Sequence, residues 1–431
     1  MTTRLGGVVQ QINLAIAICG GVVIALGLMS GAIKRSVLSV PLLALGVGIA
    51  TGPVGLDLLR WQEWSDPHRI LKEAARLTIA ISVTGIALRT PASDMRRLIR
   101  PVALLLSLGM LGMWAVSFGV VWGLLSVTPV LALLIGAILT PTDPVVASSI
   151  VTGAAAEEKL PSRLRSTLSL ESGANDGLGY LIVMLPLLAL TPKGADGLWW
   201  PWLIDVVIIG VIVAVAIGIA AGWLIGRALR LADAKGVVEN HSFLSLSVAM
   251  SLAVLSLAKV AGSDGILAAF AAGAAFNITV NEGEDYAEEN VQEAISKLFN
   301  LPIFVLFGAM LPWGGWRELG MMGIVCALAL LLLRRPVTIL VLGPMVGGGL
   351  VRRDVVFLGW FAPMGVAALY YALHATEQSG TDMIWHVASL VIFASILAHG
   401  ITATVGMKIY TQRASHDSAP SRSQGDDPSR S

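Results

Sequence analysis

Long apolar stretches follow one another along most of the chain and limit its fold more than any other feature. Only 13% of the 431 residues are charged, against about 25% in a typical soluble domain. A helix needs about 20 apolar residues to cross a bilayer. We therefore predict an all-α polytopic membrane protein with about thirteen transmembrane spans, near residues 10–30, 37–58, 70–88, 101–126, 129–151, 164–190, 203–227, 242–260, 264–280, 296–312, 319–343, 354–374 and 385–409.

Little of the chain remains outside these spans. Residues 1–409 form one predicted transmembrane domain, and residues 410–431 are predicted to be a disordered cytoplasmic tail because they contain few apolar side chains. The net charge of +1 gives no indication of nucleic-acid binding. Cys19 and Cys326 both fall in apolar spans, so we expect buried free thiols. The expected surroundings are a lipid bilayer, and we expect no cofactor.

Lysine and arginine in the short loops indicate the orientation, since cytoplasmic loops are enriched in both. With a cytoplasmic C-terminus and thirteen spans, the N-terminus lies outside. The loops that are then cytoplasmic carry most of these residues, including Lys34, Arg35, Arg96, Arg97, Arg100, Lys159, Arg163, Arg227, Arg230, Arg352 and Arg353. One outer loop disagrees, since it carries Arg60, Arg69 and Lys72.

The sixth span contains four polar residues in an otherwise apolar segment, within LSLESGANDGLGY. Glu171 and Asn175 are spaced i,i+4, and so are Ser172 and Asp176, so the four share roughly one helix face. A carboxylate near mid-membrane costs about 2.5–3.5 kcal/mol on insertion scales, so such residues usually mark ion or proton sites. The alternative is that these side chains only join helices by hydrogen bonds.

Prolines indicate two broken spans. Pro141 and Pro144 flank Thr142 and Asp143 in span five, and span twelve contains WFAPMG around Pro363. Proline removes a backbone donor, and unwound backbone inside a membrane survives only where protein or a cavity surrounds it. Broken spans in corresponding positions indicate inverted repeats in a transporter. We predict repeats of spans 1–6 and 8–13 joined by span 7; two unrelated proline kinks are the alternative.

Other charges in the apolar spans also need partners. Arg334 and Arg335 lie in span eleven, and Glu171 is the candidate partner for a structural ion pair. Alternatively, one arginine extends to the interface and only the other is paired. Glu73 opens span three beside Lys72 and could line a vestibule, or simply belong to a solvated helix end.

Several motifs together resemble the cation:proton antiporters of the NhaP and sodium/hydrogen exchanger branch. TPTDPV in span five followed by ESGANDG in span six is a specific pair. GVGIATGPVGL at 46–56, Arg335-Pro336 and SILAHGITA at 395–403 also resemble family motifs. The resemblance covers about residues 10–410. It implies exchange of a monovalent cation, Na⁺ or alternatively Li⁺ or K⁺, for H⁺ by a homodimer in the inner membrane.

The resemblance also implies residue roles. Asp176 holds the transported cation or the proton, Ser172 and Thr142 supply oxygen ligands, and Asp143 offsets helix dipoles at the crossing. Asn175 stands where electrogenic relatives have a second aspartate, which implies electroneutral exchange. One departure is the turn Ala362 to Gly365, where Met364 stands in place of a basic residue found in many relatives.

Two other classes of protein fit part of the pattern. Intramembrane aspartyl proteases have two aspartates in neighbouring spans, as Asp143 and Asp176 are here, but their motifs place a tyrosine before one and G-x-G before the other. A passive cation channel usually has a short pore loop, and none is evident. We therefore predict a transporter and not an enzyme.

Overall fold

The computed structural model describes residues 2–143, 146, 154–191, 197–237, 242–280, 289–346 and 350–418. These residues form helices joined by turns and extended segments, without a β-strand among them. The principal helices are α1 (Thr2–Leu28), α2 (Val40–Thr51), α3 (Pro67–Arg89), α4 (Ala92–Leu124), α5 (Pro129–Ile138), α6 (Ser162–Ala189), α7 (Trp199–Asp233), α8 (Ser242–Val260), α9 (Gly265–Val280), α10 (Glu289–Ala309), α11 (Trp313–Val346), α12 (Arg352–Trp360), α13 (Val366–Ser379) and α14 (Asp382–Ser418). The acidic sequence EGEDYAEENVQE at 282–293, between α9 and α10, falls largely outside the described residues, as does the chain beyond Ser418.

Five of these helices contain segments long and apolar enough to cross a membrane: Gly7–Leu28, Ala92–Leu124, Trp199–Asp233, Trp313–Val346 and Asp382–Arg413. Shorter apolar helices include α2, α5 and α9. Large apolar side chains such as Ile24, Trp200 and Leu340 remain more than 60% exposed in the isolated chain. Exposed apolar surface on long apolar helices is expected where the surrounding solvent is lipid.

Two helix boundaries differ from the sequence-based prediction. The second span was predicted to reach residue 58, but α2 ends at Thr51, where Gly52 and Pro53 interrupt the helix and the next residues form turns. The last helix instead continues to Ser418, so residues 410–418 are not the disordered tail that we predicted. Tyr410 is buried, and its hydroxyl donates to Asp354 Oδ1 at 2.5 Å, which fixes this extension against α12.

The chain leaves the helical conformation at two buried places. Helix α5 ends at Ile138, and Thr142 and Asp143 are in non-helical backbone before the undescribed Pro144. Residues 361–365 separate α12 from α13 without helical structure. Both breaks occur at the proline-containing sequences. Their backbone groups are buried, so each needs a partner within the protein.

Small residues bring helices close together within the chain. Gly218 and Gly222 of α7 lie against the backbone of Ala268 and Ala272 of α9, where an added Cβ would collide with a carbonyl oxygen. The alanine-rich segment of α9 therefore packs on α7 of the same molecule. This close packing of small residues is the usual way for helices to associate in lipid.

Candidate functional site

The polar residues of α6 are buried together in the middle of an unbroken helix. Glu171 and Asn175 have no exposed surface, and Ser172 and Asp176 are each 4% exposed. Their side chains therefore do not face lipid. The i,i+4 spacing places them along one side of α6, which the described part of span five approaches.

Asn175 connects α6 to the non-helical segment after α5. Its amide nitrogen donates to Thr142 Oγ1 at 2.8 Å, and its oxygen accepts from the Thr142 backbone nitrogen at 3.0 Å. The Thr142 hydroxyl also lies 3.0 Å from Ser172 Oγ. Asn175 thus satisfies backbone that the end of the helix leaves without an intrahelical partner.

We expect Asn175→Asp to destabilise the protein. The amide nitrogen also donates to Glu171 Oε1 at 3.1 Å, so an ionised aspartate would place two carboxylate oxygens in contact and remove both donated bonds. A buried acceptor left without its donor costs about 1–3 kcal/mol. Thermal melting in detergent would show a lower transition temperature, and the difference from wild type should narrow on acidification because a protonated aspartate can donate again. A variant that melts like wild type at neutral pH would contradict this expectation.

The two broken segments contact each other directly. The Asp143 backbone nitrogen donates to Pro363 O at 2.7 Å, and Asp143 Oδ2 accepts from Val366 N at 2.6 Å. Val366 begins α13, so the carboxylate lies at the positive end of that helix. A Cβ at Gly365 would collide with the Asp143 carboxylate, so glycine is required here for the close approach.

Asp176 differs from its neighbours because one carboxylate oxygen is unused. Oδ1 is buried and has no hydrogen-bond partner among the residues that the structure describes. Burial of an unpaired ionised oxygen is costly unless a proton or a cation neutralises it. The backbone carbonyl of Asp176 accepts from the Tyr371 hydroxyl at 2.7 Å, which joins α13 to this turn of α6. No sequence pattern indicated Tyr371.

Glu171 and Arg335 form a buried ion pair. Arg335 Nη1 donates to Glu171 Oε1 at 2.6 Å and Nη2 to Oε2 at 2.8 Å. Arg335 Nε also donates to Leu358 O at 3.0 Å, so this side chain joins α11, α6 and α12. Two parallel bonds between a guanidinium and a carboxylate are the strong form of this contact.

Arg334 has partners that the sequence did not indicate. It is 2% exposed and so does not extend to the interface, and among the residues that the structure describes it forms no ion pair with a carboxylate. Instead its guanidinium donates to Leu139 O at 2.5 Å, Thr140 O at 2.9 Å and Ala362 O at 2.9 Å. Adjacent residues of a helix point about 100° apart, which lets Arg334 and Arg335 reach different parts of the fold.

Glu73 lies apart from this group of residues. It is half-exposed near the start of α3 and pairs with Arg76 at 2.8 Å. Lys72 beside it pairs with Glu377 of α13. Arg76 lines a cavity of about 230 Å³ that also borders Tyr180, one turn beyond Asp176 on α6.

Comparison with known proteins identifies the family. A family profile described as "Sodium/hydrogen exchanger, transmembrane" matches residues 21–408, which is most of the chain. The chain belongs to the sodium/hydrogen exchanger family. The family resemblance seen in the sequence is thereby confirmed.

The relatives of this chain are named as antiporters of different cations. A probable Na⁺/H⁺ antiporter of Schizosaccharomyces pombe is 28% identical over 91% of the chain and 56% of the relative. A Na⁺/H⁺ antiporter of Saccharomyces cerevisiae is 27% identical, with 83% and 39% covered. A K⁺/H⁺ antiporter NhaP2 of Shewanella oneidensis is 23% identical, with 89% and 64% covered. The chain thus spans about half the length of the first two relatives.

A solved structure shares the fold. The sodium proton antiporter MjNhaP1 from Methanocaldococcus jannaschii superposes with a TM-score of 0.73 at 17% identity, covering 94% of this chain and 99% of the other. The protein is therefore a helical, multi-pass membrane protein of the exchanger family, with the overall architecture of that antiporter.

Proposed function

We propose that the protein is a secondary antiporter that exchanges a monovalent cation, with Na⁺ favoured, for H⁺. The observation that supports this most directly is the buried Oδ1 of Asp176, which has no hydrogen-bond partner within the described part of the chain. Such an oxygen can be neutralised by either a proton or a cation, but the two compete for it. Na⁺/H⁺ exchange is named for the yeast relatives, and K⁺/H⁺ exchange for the Shewanella relative, which keeps K⁺ as the alternative substrate.

Oxygen atoms that could accompany Asp176 around a cation lie nearby. Ser172 is one helical turn before Asp176, and its hydroxyl contacts Thr142. Hard cations prefer carboxylate, hydroxyl and carbonyl oxygens as ligands. The proposed cation-binding set is therefore Asp176, Ser172 and Thr142, with Asn175 and Asp143 holding the Thr142 segment in place.

The balance of buried charges supports electroneutral exchange. Glu171 is paired with Arg335, Asp143 contributes a further negative charge, and Arg334 a further positive charge. Among these five groups, Asp176 leaves one negative charge in excess. One proton or one monovalent cation neutralises that excess. An empty, ionised site would be costly to carry through a low-dielectric region, so the site crosses loaded and exchange is 1:1.

The proposed topology is supported by the sequence and by the two non-helical segments, one after α5 and one between α12 and α13. Thirteen spans form two inverted repeats, with spans five and twelve crossing at Asp143 and Pro363. The N-terminus is outside, the C-terminus is cytoplasmic, and the protein is a homodimer of the cell's inner membrane. Each subunit of the homodimer contains one exchange site.

Peptide hydrolysis by Asp143 and Asp176 is the competing activity from another class. An aspartyl protease needs two carboxylates that share a proton. Here Asp143 Oδ2 accepts from Val366 N at the start of α13, which suits a fixed structural anion. Cleavage of a peptide that is blocked by an aspartyl-protease transition-state mimic would favour the protease.

Ion-dependent proton flux in proteoliposomes tests the proposal. A pH dye inside vesicles should report proton movement on addition of Na⁺, Li⁺ or K⁺, scanned across pH, with choline as the inert cation. The Na⁺-driven proton flux should have the same rate with and without valinomycin and K⁺, which fix the membrane potential, because the exchange moves no net charge. Cation current without proton movement would indicate a channel and would contradict antiport.

A further inference from the structure

The geometry points to Arg334 as a positioning residue for cation binding. Its guanidinium joins the two broken segments, and through them it fixes the position of Thr142 against Ser172 and Asn175 of α6. This inference rests on the proposed antiport function and adds a residue to the machinery of that site.

The contacts of Arg334 link three elements. From α11, this side chain donates to the carbonyls of Leu139 and Thr140, which follow α5, and to that of Ala362, which follows α12. All three acceptors belong to backbone that has left a helix. Arg334 itself is buried and comes from the π-helical turn Leu330–Arg334, immediately before Arg335 and Pro336.

The charge of Arg334 matches what the broken helices present. The last carbonyls of a helix carry a partial negative charge, because they lack intrahelical donors and lie at the negative end of the helix dipole. Helices α5 and α12 both end at the crossing, and Arg334 contacts the carbonyls just beyond each end. The positive end of α13 is instead met by Asp143. One buried cation and one buried anion thus complement opposite ends of the broken helices.

The turn within span twelve contains no cation of its own. Residues 362–365 are Ala, Pro, Met and Gly, and the peptide nitrogen of Met364 donates to Ser395 Oγ. Arg334 therefore brings to the crossing, from a neighbouring helix, the positive charge that the turn lacks.

The crossing is directly connected to the cation site. Thr142 lies two residues after Thr140, whose carbonyl accepts from Arg334, and it contacts both Asn175 and Ser172. Pro363 follows Ala362, and its carbonyl accepts from the Asp143 nitrogen. Loss of the Arg334 contacts would therefore release the segment that carries Thr142, and affinity for the cation would fall.

Two substitutions in the full-length protein separate charge from shape. Arg334→Gln removes the charge, and Arg334→Lys keeps the charge but loses the planar fork. Exchange is measured in proteoliposomes as a function of Na⁺ concentration. A charged hydrogen bond lost from a binding segment corresponds to about tenfold in an equilibrium constant, so we expect the KM for Na⁺ to rise about tenfold in Arg334→Gln. Arg334→Lys should raise the KM by only about threefold, because its charge remains while the planar fork of hydrogen-bond donors is lost.

A control variant separates positioning from general stability. Tyr410→Phe removes a buried hydrogen bond to Asp354. The Asp354 carboxylate also accepts from Arg163, and neither residue belongs to the crossing. Tyr410→Phe should lower the melting temperature while leaving the KM unchanged. If Arg334→Gln behaves in the same way, with a lower folded yield but a wild-type KM, the inference is wrong. If Arg334→Gln is not recovered folded, a KM of Arg334→Lys equal to wild type overturns the inference, and a raised KM supports it.

The Asp176→Asn protein in the same assay distinguishes this inference from the proposed function. Exchange that survives Asp176→Asn would refute the assignment of the site itself. If Asp176→Asn abolishes exchange while both Arg334 variants keep the wild-type KM, only the role of Arg334 is refuted.

Discussion

Proteoliposomes that contain the Asp176→Asn protein should show no cation-driven proton movement above that of protein-free vesicles. Asparagine fills nearly the same volume but cannot take up a proton or supply a negative charge. The buried Oδ1, which no described residue contacts by a hydrogen bond, would become an amide atom, and competition between proton and cation would end. The protein should still fold, because the hydrogen bond between Asp176 and the Tyr371 hydroxyl is accepted by the backbone carbonyl, which the substitution leaves in place.

Asp354→Asn provides the matched control for this experiment. Asp354 is also fully buried, but its carboxylate already has partners in Tyr410, Arg163 and the Val351 nitrogen. The same chemical change there should lower stability and leave exchange in the recovered protein. Exchange that persists in Asp176→Asn would contradict the proposed site, and equal loss in both variants would show that any buried charge change inactivates the protein.

The sequence predicts much of the architecture because membrane helices carry a strong local signal. Apolar length located the helices, and the prolines located the two non-helical segments. Predictions failed where local and tertiary effects compete. The end of α14 could not be located from composition, since Tyr410 is held by Asp354, a residue 56 positions earlier.

The candidate site was predictable by residue type but not by contact. The i,i+4 spacing brought Glu171, Ser172, Asn175 and Asp176 to one side of α6, and the structure buries all four. Thr142 could not be predicted as the partner of Asn175, because their hydrogen bonds depend on how another span crosses α6. The carbonyl partners of Arg334 arise in the same way, since a carbonyl carries no sequence signature.

Of the substitutions proposed for this protein, Glu171→Ala should cause the largest loss of stability. The substitution would leave the Arg335 guanidinium buried without its carboxylate, and Asn175 would lose one acceptor. Breaking a buried ion pair by removing one partner costs about 3–5 kcal/mol, because the remaining charge is desolvated and uncompensated. Thermal melting in detergent, followed by size-exclusion chromatography of the remaining monodisperse protein, measures the effect.

A double variant tests whether the unpaired charge is the cause. Glu171→Leu combined with Arg335→Met replaces the pair by apolar side chains, which is often neutral or stabilising for buried pairs. We therefore expect the double variant to melt closer to wild type than Glu171→Ala does, despite carrying two changes. The carbonyl of Leu358 would still lose its hydrogen bond from Arg335, so the melting temperature should not return fully to the wild-type value. A melting temperature that Glu171→Ala leaves unchanged would mean that the ion pair does not stabilise the fold, and the contact between α6 and α11 would then have to depend on packing alone.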